Sequence, residues 1–230
     1  MGITISRLNS NSWSILDEGV RFFLLTGSEK ALLIDSGMVI YNARDIAAGL
    51  TDRPVSLLNT HADRDHIGSN GQFESFYMHP DEEPIYRRSG MPGTVIPIRE
   101  GEILDLGNRR LEIIHLPGHT PGSIAVLDIA GRVLISGDPI QQNGHIFMFG
   151  DHRNMQDYIC SLDHLETYAD RFDEIWPSHG DLPLTPDILP KLKAGAESVL
   201  RGEIPGKPVE RFGKNAVAYS LGFCILLCNA

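Results

Sequence analysis

The chain has 230 residues, 42% of them hydrophobic and 22% charged, which is the make-up of a soluble globular protein able to bury a substantial core. Thirty acidic against twenty basic residues leave a formal net charge of -10, which disfavours nucleic-acid backbones and anionic lipid as partners. The three cysteines, Cys160, Cys224 and Cys228, are odd in number and lack a zinc-finger spacing, so they read as reduced thiols of a cytoplasmic protein.

No basic segment followed by an apolar stretch and a small-residue cleavage site stands at the N-terminus. Residues 3–8, 12–16, 21–26 and 31–35 read as short strands parted by Gly, Asn and Asp turns. Residues 41–50 read as a helix, and residues 55–59 as a strand running into the loop 60–68. A short helix and a strand at 76–79 follow, and residues 91–97 read as a plain surface loop. Strands are expected at 102–106, 110–116, 123–128 and 132–136. The clearest amphipathic helix is 154–168, where Met155, Ile159, Leu162, Leu165 and Ala169 share one face and Asn154 is the N-cap. A strand at 174–176, a helix at 186–201 and strands from Val209 complete the chain. The apolar run from Phe223 to Cys228 is too short to span a bilayer and reads as a buried strand. No Pro-, Gly- or Ser-rich linker interrupts this order, so residues 1–230 are expected to form a single domain. Two sheets packed face to face with helices outside would bury the strands.

The sharpest signal is Thr60-His61-Ala62-Asp63-Arg64-Asp65-His66-Ile67-Gly68. Its imidazoles and carboxylates suit zinc, iron or manganese. His61 and Asp63, two apart, can point the same way in an extended chain, while adjacent Asp65 and His66 can diverge toward a second ion. Three more segments place a candidate ligand where a strand gives way to a loop: His119 in Pro117-Gly118-His119-Thr120-Pro121-Gly122-Ser123, Asp138 in Ser136-Gly137-Asp138, and His179 in Pro177-Ser178-His179-Gly180. Other groups carry less. His145 and His152 flank a segment read as a strand and turn with surface histidines, and His79 reads as structural. His115 closes a strand near the site, and His164 is expected on a solvated helix face. Arg64 is expected to pair with a carboxylate outside the site.

In this order the four segments resemble the metal-binding motifs of the metallo-β-lactamase superfamily, with a core similar to glyoxalase II. The resemblance covers nearly the whole chain and implies an α/β fold, the four-layer αββα sandwich. It further implies that His61, Asp63 and His119 hold one ion, that Asp65, His66 and His179 hold another, and that Asp138 bridges. One departure stands out. Asp63 occupies the place of the second His of the usual HxHxDH motif, and a carboxylate there makes the first position harder and less exclusive for zinc.

The function so implied is a metal-dependent hydrolase acting on a small ester, thioester or lactone, with two divalent ions, zinc first and iron or manganese as alternatives. A divalent ion makes hydroxide available at neutral pH, and Asp65 is the expected catalytic residue, orienting or deprotonating the water. Two alternatives belong to other classes: an iron-dependent oxidoreductase, which Asp63 favours, and a non-catalytic binding module. The partner expected is a small-molecule substrate, with neither nucleic acid nor membrane.

Overall fold

Short segments rich in β-branched and aromatic residues, broken by turn formers, make the first half a sheet. In the computed structural model, which describes residues 2–230, β1 (Thr4–Asn9), β2 (Ser12–Asp17), β3 (Val20–Thr26) and β4 (Ala31–Ile34) form an antiparallel meander. β5 (Val55–Leu58), β6 (Ser75–Met78) and β7 (Thr94–Pro97) extend the same sheet in parallel, giving seven strands in chain order. The change of direction follows from the connections, since parallel neighbours need a crossover. Helix α1 (Ala43–Leu50) links β4 to β5, and helix α2 (Glu83–Ser89) links β6 to β7.

Residues 91–97 are thus corrected in part: Thr94–Pro97 is a strand, because its backbone pairs with Ser75–Met78. The helix α2 carried no periodic signal, being only seven residues long with Pro84 in its first turn. The core of this part packs Phe22, Leu24, Leu33, Leu57 and Phe76 of the sheet against Ala43, Ala47 and Tyr86 of the helices. Phe76 meets Tyr86 edge-on at 4.9 Å, and each such buried ring stabilises by about 1.5–3 kcal/mol.

The chain forms two compact units: residues up to Ile114 with Val126–Gly131, and His115–Ala125 with Arg132–Ala230. The first also holds the antiparallel pairing of β8 (Ile103–Asp105) with β9 (Arg110–His115). The strand β10 (Ile124–Asp128) is buried along its whole length.

In the second unit β11 (Val133–Gly137) pairs in parallel with β13 (Glu174–Pro177), and the crossover between them includes α3 (Met155–Glu166). Asn154 caps α3 as expected, its side chain accepting the N–H groups of Gln156 and Asp157. The buried stripe of α3 includes Ile159, Leu162 and Leu165, and the helix packs against α4 (Ile188–Leu200). The strands β12 (His145–Met148), β14 (Lys207–Arg211), β15 (Lys214–Ser220) and β16 (Ile225–Asn229) form a four-stranded sheet in the order β12-β16-β15-β14. Among the described residues no helix is long and apolar enough to cross a membrane.

Candidate metal centre

Parallel neighbours end at the same edge of a sheet, so residues that follow them meet regardless of their separation in the chain. In the first unit β4 and β5 are such a pair, with Ile34 opposite Leu58. Asp35 follows one strand, and Asn59, Thr60 and His61 follow the other.

Asp35 is buried and left-handed, with φ 65°. Its Oδ1 accepts the Thr60 backbone N–H at 2.7 Å, and its Oδ2 accepts the Thr60 hydroxyl at 2.8 Å. The same Oδ2 lies 2.8 Å from Nδ1 of His66. The Thr60 hydroxyl points its hydrogen at Asp35, so its oxygen accepts from Nδ1 of His61 at 3.0 Å. One carboxylate therefore sets the tautomer of both histidines: Nδ1 carries the proton and Nε2 keeps its lone pair. Both residues are fully buried, with ring centroids 4.0 Å apart.

The loop beyond is equally fixed. Glu82, buried, accepts the Ala62 N–H at 2.8 Å between the two candidate ligands His61 and Asp63. The His66 carbonyl accepts from the Ser36 backbone at 2.9 Å and from Nδ2 of Asn59 at 2.8 Å.

The second unit repeats the device. Gly137 of β11 stands opposite Pro177 of β13, and the Ser178 N–H donates to the Gly137 carbonyl at 3.1 Å. The next residue on each strand is a candidate ligand or leads to one, so Asp138 and His179 meet: Oδ1 of Asp138 is 3.4 Å from Nε2 of His179. The other oxygen of Asp138 is 3.6 Å from Nε2 of His119. Nδ1 of His119 donates to the Phe147 carbonyl at 2.9 Å, which again leaves Nε2 as the atom with the lone pair.

The turn carrying His119 is stapled from several sides. Ser161 of α3 donates to the Pro117 carbonyl at 2.6 Å, and Nε2 of His115 donates to that of Pro121 at 2.9 Å. Gly118 has φ 127°, and a Cβ there would lie 2.3 Å from the Tyr158 backbone nitrogen. Only glycine fits at that position.

The donor spacing identifies what these residues can hold. In the first unit Nε2 of His61 is 3.6 Å from Oδ2 of Asp63, and Nε2 of His66 is 3.6 Å from Oδ2 of Asp65. These separations, like those around Asp138, are too long for good hydrogen bonds. Two ligand atoms sharing a tetrahedral ion, with bonds of about 2.1 Å, lie about 3.4 Å apart. In all four pairs the nitrogen is Nε2, and for His61, His66 and His119 the partner at Nδ1 makes Nε2 the ring atom that a neutral imidazole can offer to a cation. The residues fit a divalent cation with mixed imidazole and carboxylate ligands.

Asp35, Thr60 and Glu82 were not anticipated as part of this centre. The one available signal was an acid placed directly after the wholly apolar strand β4. Among the weaker candidates, His79 accepts the Asp81 N–H at its Nδ1. His164 is half-buried against the Tyr168 ring rather than solvated. Arg64 is exposed.

A family model described as the metallo-beta-lactamase superfamily matches residues 17–171. The acyl-coenzyme A thioesterase MBLAC2 of Gallus gallus is 29% identical over 197 residues, which cover 68% of this chain and 71% of that protein. The hydroxyacylglutathione hydrolase GloC of Haemophilus influenzae is 34% identical over 107 residues, 38% of this chain and 50% of that one. The solved metallo-beta-lactamase from Pontibacter korlensis superposes with a TM-score of 0.72 at 16% identity, covering 85% of this chain and 99% of that one, a likeness of fold.

Proposed function

This chain belongs to the metallo-β-lactamase superfamily and is a metallo-hydrolase, and we propose that it hydrolyses acyl thioesters at a metal centre held by His61, Asp63, Asp65, His66, His119, Asp138 and His179. The observation that carries this reading is the set of His–Asp pairs at 3.4–3.6 Å, each presenting Nε2. Asp138 directs its two oxygens to two different histidines, which supports two ions with this carboxylate between them. In that reading His61, Asp63 and His119 would hold one ion, and Asp65, His66 and His179 the other. Zinc is the first candidate, and the carboxylate at Asp63 admits manganese or iron.

Bound divalent ions supply the Lewis acidity that makes hydroxide available near neutral pH and polarises a carbonyl. The protein's own contribution is positional. Asp65, whose side chain is 27% exposed beside the buried His66, is placed to accept a proton from water and to orient it. The buried Asp35 and Thr60 hold the two histidines of the loop in one tautomer. The rigid turn at Gly118 fixes His119.

The thioester assignment rests on the relatives, whose names specify acyl-coenzyme A and hydroxyacylglutathione, acyl groups borne by thiols. The three free cysteines agree with a cytoplasmic setting, and in this reading the 230 residues work as one domain.

Elemental analysis of gently purified protein, followed by thiol release from a series of acyl thioesters, tests the proposal. The expected result is about one to two zinc or manganese ions per chain and turnover that disappears, along with the metal, in Asp138→Ala and His119→Ala. Full activity in either variant sinks the site. Iron with oxygen or nitric oxide consumption moves the protein to the oxidoreductase class. A chain that takes up no metal even on reloading is a binding module.

A further inference from the structure

The second unit carries an aromatic surface that the metal centre does not use. Along β12, Ile146 and Met148 are buried while His145 and Phe147 face the other way, half-buried, with Phe149 next in the same alternation. The turn between β14 and β15 folds back over this face. Its tip is Phe212 and Gly213, at φ 50° and 70°, consecutive left-handed residues of the kind that close a tight hairpin. Phe212 is 82% exposed, yet its ring stacks on Phe147 at 5.8 Å and 28°, and Phe147 touches Phe149 at 5.7 Å. The neighbouring Arg211 also reaches this face: burial first, and then the Arg211 charge, hold the His145 imidazole below its ordinary value.

We propose that Phe212, Phe147 and Phe149 form the seat of an apolar acyl group and so set the substrate preference of this enzyme. The inference rests on the thioester reading above and narrows it. A bulky residue held left-handed and exposed at a hairpin tip is unfavourable twice over, in backbone strain and in wet apolar surface. A ligand that covers the ring accounts for the position. The ligand's identity follows from continuity with the centre. The carbonyl of Phe147 is the group that fixes Nδ1 of His119, so the strand that bears the aromatic surface also positions a proposed ligand. A thioester whose carbonyl lies at the metals extends in two directions, one polar carrier and one acyl chain. The acyl chain is the half that gains by leaving water for aromatic rings.

The test uses the full-length, metal-loaded protein with two probe sets: S-ethyl and S-octyl coenzyme A thioethers for binding by calorimetry, and acetyl- and octanoyl-coenzyme A for turnover. Wild type is expected to bind the octyl probe at least about tenfold more tightly than the ethyl probe, a small part of the free energy of transferring six methylenes from water. Phe212→Ser is expected to erase most of that preference and to lower the octanoyl-to-acetyl ratio of kcat/KM by about tenfold, while Phe212→Leu retains most of it. Thioester turnover with no octyl preference, or a preference indifferent to Phe212→Ser, overturns the acyl seat and leaves the hydrolase reading standing. An octyl preference that depends on Phe212, in a protein that cleaves no thioester, upholds the seat and overturns the thioester reading. A wild-type dimer that Phe212→Ser converts to monomer, with no change in the octyl preference, assigns the surface to a second copy and overturns the seat.

Discussion

Oδ2 of Asp35 lies 2.8 Å from Nδ1 of His66, and the same oxygen accepts the Thr60 hydroxyl that fixes His61. A single buried carboxylate thus orients two candidate ligands at once. Asp35→Asn tests this cleanly, because asparagine tolerates the left-handed backbone that Asp35 adopts. Loss of the charge and of one acceptor is expected to weaken metal binding by about 10- to 100-fold with an unchanged circular dichroism spectrum. Competition with a chelator measures the affinity, and wild-type affinity in the variant removes Asp35 from the account.

Asp63 stands where an imidazole is usual, 3.6 Å from Nε2 of His61. Replacing it by histidine substitutes a softer ligand. The ratio of zinc to manganese affinity should rise in Asp63→His, following the preference of imidazole for zinc. Metal competition followed by elemental analysis reads the ratio, and a ratio that stays the same or falls places Asp63 outside the ligand set.

Gly118 has both a positive φ and no room for a Cβ against Tyr158. Gly118→Ala is expected to cost about 1–3 kcal/mol in stability and to shift His119, which follows it. The urea midpoint should fall and metal content with it. A variant with an unchanged midpoint contradicts the packing described for this turn.

The cysteines differ sharply in reactivity. Burial pushes the Cys224 thiol up to about 12 and the Cys228 thiol up to about 11, whereas Cys160 is exposed. At pH 8 the first two are almost wholly protonated and poor nucleophiles. A colorimetric thiol reagent should therefore label one thiol quickly in the native protein and all three after denaturation, and Cys160→Ser should remove the fast phase. Rapid labelling of two or more thiols in the native chain would count against the shielding of Cys224 and Cys228 from solvent.

His145 has its pKa lowered in the fold, by burial and then by Arg211. The folded chain binds that proton less readily than the unfolded chain, whose imidazole titrates near about 6.5. Its effect on stability is therefore neutral well above that pH and unfavourable as the pH falls through 6.5 toward the lower folded value. Urea midpoints measured from pH 7.5 down to 5 should fall less steeply in His145→Gln than in wild type. Parallel curves would show that the hairpin does not press on this residue.

Much of this could be read from the chain alone because the signals are local. Short apolar runs ending in a turn, Ala31–Ile34 in β4 and Val133–Ile135 in β11, are legible as strands, and the stripe of Ile159, Leu162 and Leu165 with Asn154 at its head makes α3. The motif loops are legible for the same reason, since clustered His and Asp after an apolar strand have few other uses. Thr94–Pro97 and Glu83–Ser89 were missed because each is short and draws its structure from a partner, β6 in one case and the sheet core in the other.

By itself, then, the sequence determined the family, most of the element order and the residues chemically able to ligate a metal, all of which depend on neighbours within a few positions. Only the tertiary structure decided that Asp35 would hold His66 and Thr60, that Asp138 would divide its oxygens between His119 and His179, and that Phe212 would lie on Phe147. Each of these contacts follows from strand register or from the folding back of a hairpin, and register is set by pairing between distant segments rather than by any local pattern.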